Sequence, residues 1–437
     1  MKNIKEYLDY LYKFERLRMK YDLRNIKKIL KTLGNPEKEL KCIHIAGTNG
    51  KGAVASFTAS ILQEHGLKTG LFTSPHILKF NERIRVNGKQ INNAYIKNFL
   101  SNNLKLFQKI RPSFFEVCTA LAFSYFRDKN VDAAVIECGL GGRLDSTNII
   151  TPLVSVITQI AMDHEKYLGN SLLKIAKEKL GIVKKNVPVV VSDNNLSLKK
   201  LFYKSIDKLM LIYLEDYLSN PLLISPRQGE IQWGSLLKYK KTDYINSNFQ
   251  IRNAQAALTA SEIFLKRTKK HKPDRFKKPV GFNVTKAVKG LRNLIKNTSY
   301  HCRLETIKKA GYDFIFDVAH NPAAVKNTYE NLKDTKINAV VFGMMEDKDY
   351  ISALPYIMKL SDTIIFTRPS YHRSLEPEIL LKEALKYKKP KKLFITLTVQ
   401  DAIKKVYIIK GRKVLFCGSF FLVSDALKVL KLQKYIN

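Results

Sequence analysis

The sequence predicts an α/β protein of two consecutive units, each built on a mainly parallel sheet covered by helices on both faces. Three observations carry this expectation. Short strand segments that are apolar throughout recur along the chain, which is the pattern of strands buried on both faces. Segments of helical periodicity separate many of them, as the crossovers of parallel strands require. A chain of 437 residues is also longer than a single hydrophobic core usually organises.

Taken in order, Ile4, Tyr7, Leu8, Leu11 and Tyr12 recur at helical spacing and open the chain with an amphipathic helix. Residues 42–46, Cys-Ile-His-Ile-Ala, read as a buried strand that runs directly into Gly47-Thr48-Asn49-Gly50-Lys51-Gly52. Val54, Phe57, Ile61 and Leu62 then resume helical spacing, so this stretch is a strand, a glycine-rich turn and a helix. Further buried strands are expected at 133–137, 154–158 and 187–191. Near residue 200 the pattern loosens, and 216–248, which holds the single tryptophan Trp233, reads as an antiparallel excursion. Helical character returns at 253–264, and the basic run 266–278 reads as an exposed helix end and loop. Strands at 314–318, 339–342, 363–367, 393–397 and 414–417 then define a second three-layer unit. The expected domains are 1–297 and 298–437.

Apolar residues make up 45% of the chain and aromatics 10%, enough to build cores and unlike a disordered composition. No uninterrupted apolar run approaches the roughly 18 residues of a membrane span, and the first twenty residues mix charge with apolar side chains where a signal peptide would have an apolar core. A cytoplasmic protein without membrane partner is the expectation. The formal charge of +38 comes from 76 basic against 38 acidic residues. The lysines are spread along the chain with no helix-turn-helix, zinc-finger or RNP pattern beside them, so no dedicated nucleic-acid partner is expected. Recruitment of anionic small substrates is compatible with that charge. Cys42, Cys118, Cys138, Cys302 and Cys417 lack CxxC spacing and read as reduced core thiols.

The glycines of 47–52 let successive backbone N–H groups curve around phosphate oxygens, while Lys51 supplies positive charge and the following helix its N-terminal field. The string departs from the eight-residue phosphate-loop pattern, since Ile45 stands where its first glycine would be and Gly52 follows the lysine. An ordinary tight turn is the competing reading. Glu137 ends a strand and enters the glycine-dense bend 138–145, where a carboxylate can hold Mg²⁺ beside a nucleotide. Asp163 and His164, after the next strand, offer a second carboxylate and an imidazole. Each alone also reads as a cap or loop residue; with the phosphate loop they make one coherent nucleotide and metal site. In the second half, Asp317-Val318-Ala319-His320-Asn321-Pro322 ends a strand with an acid, an imidazole and an amide, against the alternative of Asn321 capping a helix with His320 buried. Gly418-Ser419 also lies just past a strand. Ligands are expected beyond the carboxyl ends of the strands and at the junction of the two units.

These residues carry a resemblance to the folylpolyglutamate synthase and dihydrofolate synthase family of the Mur ligase superfamily. The phosphate loop 47–52, Thr73-Ser74-Pro75-His76 with Phe80-Asn81-Glu82-Arg83-Ile84, Phe114-Phe115-Glu116, 137–148, Asp163-His164, 178–182, Gln250 with Asn253-Ala254, Arg303-Leu304, 317–322 and Gly418-Ser419 follow one another in family order. The resemblance implies a Mur-ligase-like P-loop ATPase domain followed by a smaller Rossmann-like domain, with catalysis in the cleft between them. It implies nucleotide contacts from Gly47, Thr48, Asn49, Gly50, Lys51, Gly52, Asn253, Arg303 and Asp317. It places folate against Ser74, Pro75, His76, Arg83, Phe115, Glu116 and Asp145. Mg²⁺ would be held by Glu137 and His164, and a second divalent metal by Lys179 as a carbamate. Lys51, Lys179, His320, Asp317 and Ser419 would form the catalytic set. The implied reaction, in a monomer, is ATP-dependent addition of L-glutamate to a reduced folate and to dihydropteroate through an acyl phosphate. A murein-precursor ligase and a non-catalytic nucleotide-dependent binding protein are the alternatives. Ala53, Phe249 and Cys302 depart from the family's usual serine, histidine and glycine.

Overall fold

The computed structural model describes residues 4–13, 22–219, 245, 247–270, 281–387, 392–409 and 412–435. They fall into two compact units. The first comprises Met1–Ile160, Leu172–Lys240 and Gln250–Thr298, and the second Ala161–Ser171, Lys241–Phe249 and Ser299–Asn437. A linear division near residue 298 therefore leaves out two short excursions, and one of them carries Asp163 and His164.

The first unit is built on strands β1 (Cys42–Ala46), β2 (Thr69–Phe72), β3 (Ile84–Val86), β4 (Lys89–Gln90), β5 (Ala133–Glu137), β6 (Val154–Ile157), β7 (Val189–Val191) and β8 (Leu211–Tyr213). Their order is β4-β3-β2-β5-β1-β6-β7-β8. Pairing is parallel from β2 to β8, and β3 and β4 add an antiparallel edge. Every residue of β1, β2, β5, β6 and β7 is buried, the reason these strands read as continuous apolar runs. β7 starts two residues later than the apolar run: Pro188 has no N–H for a ladder, and the Val187 N–H turns back to Lys184 O (3.2 Å).

The Lys51–Glu64 helix is buried along all of residues 53–62, which explains its lack of a polar face. Against it packs the Val284–Arg292 helix, where Ser60 Oγ donates to Gly290 O (2.6 Å). The Phe114–Asp128 helix covers the sheet with Val117, Leu121, Phe123 and Phe126, in one core with Phe72, Phe107 and Ile136. The opening helix, Ile4–Lys13, joins the same core through Tyr7 and Leu11. The excursion expected at 216–248, with Trp233, lies almost wholly outside the described residues. Of the basic run 266–278, the part to Lys270 ends the Asn248–Lys270 helix and the rest is likewise outside them.

The second unit has β9 (Arg303–Lys309), β10 (Tyr312–Asp317), β11 (Ala339–Phe342), β12 (Thr363–Thr367), β13 (Lys392–Thr396) and β14 (Lys413–Cys417), in the order β13-β12-β11-β14-β10-β9. All pairs are parallel except the β9–β10 hairpin. Val340, Phe342, Ile364, Phe366 and Leu415 anchor its core with Leu354 and Leu380 from the covering helices. Among the described residues no helix is long and apolar enough to cross a membrane.

Candidate active site

In the first unit, β1 delivers the chain into the glycine-rich loop, and the Lys51–Glu64 helix starts inside it. The loop is tied to the end of β6. Thr48 N–H and Asn49 N–H both donate to Gln159 O (2.7 and 3.2 Å), and Thr158 Oγ1 donates to Asn49 O (2.8 Å). A Cβ on Gly47 would come within 1.8 Å of Thr158 Oγ1, so only glycine fits there. Lys51 Nζ donates to Gly47 O and Thr48 O (3.1 Å each). The buried Lys179, from the Leu172–Leu180 helix, donates to the same Gly47 O (2.7 Å). Two lysine side chains thus converge on one carbonyl at the mouth of a helix whose N-terminal field favours an anion.

Glu137, at the end of β5, accepts from Ser74 N–H (3.0 Å), which joins the strand end to the 73–76 loop. Its Oε2 lies 3.5 Å from where a Gly52 side chain would begin, beside the first turn of the phosphate helix. Among the described residues no three His, Cys, Asp or Glu side chains converge as a ready-made metal cage. A single carboxylate beside a glycine-rich turn at a helix N-terminus nevertheless fits Mg²⁺, which takes its remaining ligands from phosphate and water.

The bend after Glu137 is held from below. Asp145 accepts from Leu140 N–H and Thr147 N–H (2.9 Å each) and from Thr147 Oγ1 (2.5 Å), and Thr147 in turn meets His44 Nε2 (2.9 Å) on β1. Burial raises the Asp145 carboxyl, and these hydrogen bonds oppose the rise. His44 is pushed down to about 3 by burial and by Lys184. Glu116 caps the Phe114–Asp128 helix, accepting from Ser113 N–H (2.7 Å). Arg83 donates to His76 Nδ1 (2.9 Å) and lies 5.1 Å over the Phe114 ring. Phe115 stacks on Phe72 (5.6 Å). Asn253 is buried and donates to Gln250 Oε1 (3.3 Å).

In the second unit a charged cluster surrounds the carboxylate of Asp163. Lys348 Nζ donates to Asp163 Oδ1 (2.7 Å) and lies 3.2 Å from His164 Nε2; Asn321 Nδ2 donates to Asp163 Oδ2 (3.0 Å); His320 Nε2 is 3.8 Å away. Burial alone would raise Asp163, but His164, Lys348 and His320 outweigh it and hold the group well below the carboxylate range. Burial and the Lys348 charge push His320 down to about 4. Asn321 also caps the Pro322–Leu332 helix, accepting from Ala324 N–H (2.9 Å).

Asp317 ends β10 and accepts from Thr328 Oγ1 (2.8 Å) and Ala319 N–H (3.1 Å); burial raises its carboxyl and nearby Arg303 opposes the rise. Arg303 lies over the rings of Tyr300 (5.6 Å) and Phe420 (5.1 Å). Its Nη1 is buried with no partner among the described residues, a donor suited to an anionic oxygen. Cys302 and Leu304 on either side both take left-handed φ (60° and 56°), and Leu304 is the extra residue where the β9–β10 register shifts. Glycine takes such a conformation at no cost, which accounts for the glycine the resemblance expects at 302. Ser419 is buried and caps the Phe420–Val429 helix, accepting from Leu422 N–H (3.1 Å).

The sequence reading missed Lys348, Thr158, Gln159, Tyr300 and Phe420. Lys348 had a signal in Glu346-Asp347-Lys348-Asp349, a charged run just beyond β11, masked by the abundance of lysine. Thr158 acts through its hydroxyl and shape and Gln159 through its carbonyl, and neither residue type carries a composition signal at a strand end.

A mainly parallel sheet with a glycine-rich loop between its central strand and a helix, joined in one chain to a second α/β unit rich in buried charge, defines a nucleotide-dependent ligase of the Mur type. Residues 45–211 match the Mur ligase middle domain, and residues 302–420 the Mur ligase glutamate ligase domain. Similar proteins include the folylpolyglutamate synthase of Lacticaseibacillus casei, 33% identical over 80% of this chain and 81% of that one. The dihydrofolate synthase/folylpolyglutamate synthase of Bacillus subtilis is 31% identical over 94% and 96%. The crystal structure of the Thermotoga maritima folylpolyglutamate synthase superposes with a TM-score of 0.77 at 29% identity, covering 99% of this chain and 98% of that one. The chain belongs to the folylpolyglutamate synthase/dihydrofolate synthase family of Mur ligases.

Proposed function

We propose that this protein uses ATP to join L-glutamate to a reduced folate, and also to dihydropteroate. The observation that carries the reading is the convergence of Lys51 and Lys179 on the phosphate loop with Glu137 beside its helix. A carboxylate resists an amine because oxide is a poor leaving group. Attack of the folate carboxylate oxygen on the γ-phosphorus expels ADP and leaves an acyl phosphate; the glutamate amine then attacks the acyl carbon, phosphate departs, and the amine loses a proton. Lys51 and the N-terminal field of its helix stabilise the charge that gathers on the transferred group.

Glu137 would hold Mg²⁺, which would neutralise phosphate charge when bound. His164 would serve a metal once Lys348 leaves its Nε2, and a carbamate on Lys179 would supply oxygen ligands to a second divalent ion. Ser74, Pro75, His76, Arg83 and Phe115 would face folate, with Glu116 and Asp145 shaping the surfaces behind them. Nucleotide would contact the 47–52 loop, Asn253, Arg303 and Asp317. His320 and Ser419 would complete the catalytic set. The test is direct: purified protein with ATP, Mg²⁺ and glutamate, offered dihydropteroate or tetrahydrofolate, with ADP and product mass recorded. A mass increase of one glutamate accompanied by ADP supports the reading; ADP formation independent of folate, or none, overturns it.

A further inference from the structure

Nothing in the ligase chemistry requires a residue at the end of β6, yet that strand end controls the shape of the phosphate loop. Thr158 is fully buried, and its hydroxyl donates to Asn49 O while its side chain fills the space beside Gly47 that any Cβ would occupy. The next residue offers its carbonyl to two loop N–H groups, Thr48 and Asn49, and its side-chain oxygen to Asn49 Nδ2 (3.3 Å). Those two N–H groups are therefore turned away from any phosphate, leaving the N–H groups at the start of the Lys51–Glu64 helix to face an anion. The Gly47 carbonyl set by this packing is the one on which Lys51 and Lys179 both rest.

We propose that Thr158, with the Gln159 carbonyl, is the positioning residue that fixes the Gly47 carbonyl, and through it the placement of the Lys51 and Lys179 side chains beside the nucleotide phosphates. The inference rests on the phosphate-loop reading of 47–52. Thr158 touches no substrate; it acts through the loop backbone. The hydroxyl ties the Asn49 carbonyl to the end of β6, and the branched side chain is the shape against which Gly47 packs.

Thr158→Val keeps the shape and removes the hydroxyl; Thr158→Ser keeps the hydroxyl. Binding of Mg-ADP is measured by calorimetry on both variants and the unmodified protein, alongside KM for ATP and for glutamate. The expected result is a loss of about tenfold or more in ADP affinity for Thr158→Val with a matching rise in KM for ATP, an unchanged KM for glutamate, and values within about threefold of the unmodified protein for Thr158→Ser. Overturning results are Thr158→Val binding ADP within twofold of the unmodified protein, whatever its melting temperature, or Thr158→Ser losing as much as Thr158→Val. If the unmodified protein itself fails to bind Mg-ADP, the phosphate-loop reading falls first and takes this inference with it.

Discussion

Lys51 and Lys179 contribute differently to the same carbonyl, because Lys51 belongs to the loop while Lys179 reaches it from a separate helix and is buried. Lys51→Ala removes charge from a partly buried loop position with little packing lost, so the fold should persist while turnover drops by about 10²-fold or more, a few kcal/mol of transition-state stabilisation. Steady-state ADP release with a circular dichroism control checks this, and near-normal turnover rejects the phosphate role. Glu137→Gln preserves shape and the hydrogen bond from Ser74 but removes the negative charge; the rate should fall and partly recover as Mg²⁺ is raised. A Mg²⁺ dependence identical to the unmodified protein rules Glu137 out as a ligand. For Lys179, Ala should be nearly inactive and regain part of its rate with acetate, whereas Arg should not. A carbamate signal by ¹³C NMR from labelled bicarbonate, present in the unmodified protein and missing from Lys179→Arg, is the reading independent of rate.

At the level of elements, β10 was legible as an apolar run and β9 was not. β9 is an edge strand, with Lys308 and Lys309 in a segment of mixed exposure, so it lacks the continuous apolar character that betrays buried strands. Its turn was hidden as well. Ala310-Gly311 joins β9 to β10 with both residues at positive φ (50° and 75°), a conformation usually announced by Asn-Gly. Ala310 is exposed, so Ala310→Asn should raise the stability of the second unit by about 0.5–1 kcal/mol through the turn alone. Hydrogen exchange of the β9–β10 amides measures it, and slower protection loss in the alanine protein would contradict it. The strand, glycine-rich turn and helix of 42–64 were readable because they are consecutive in sequence. The Asp163 cluster was not, since Asn321, His320 and Lys348 meet that carboxylate across more than 150 residues of sequence, a distance over which neither periodicity nor local spacing carries information.

Across the whole molecule, imidazoles held below the usual histidine range set an acid limit. His44, at about 3, and His320, at about 4, both lie below the ordinary histidine value of about 6.5. Above about pH 6.5 both are neutral whether folded or unfolded, and neither penalises folding. As pH falls below that, the unfolded chain takes up protons that the folded chain refuses, so stability declines by up to about 1.4 kcal/mol per pH unit for each histidine until the folded pKa is reached. Urea midpoints at pH 7, 6 and 5 should fall in that order, and His44→Asn should flatten the fall. A midpoint independent of pH in this window would show that these imidazoles are protonated in the folded protein.

The position of β14 has a further consequence for biosynthesis. It is the last of the described strands in sequence, yet it lies between β10 and β11 and pairs with both. While the chain is being made, the second unit therefore waits with two facing, unsatisfied ladders until residue 417 has left the ribosome. A chain cut short before Lys413 would carry that gap permanently, at the centre of the sheet and lined by the apolar edges of β10 and β11. The equivalent strand of a neighbouring nascent chain is the natural filler, so late truncation should produce exchanged or aggregated species, with the first unit keeping its own sheet.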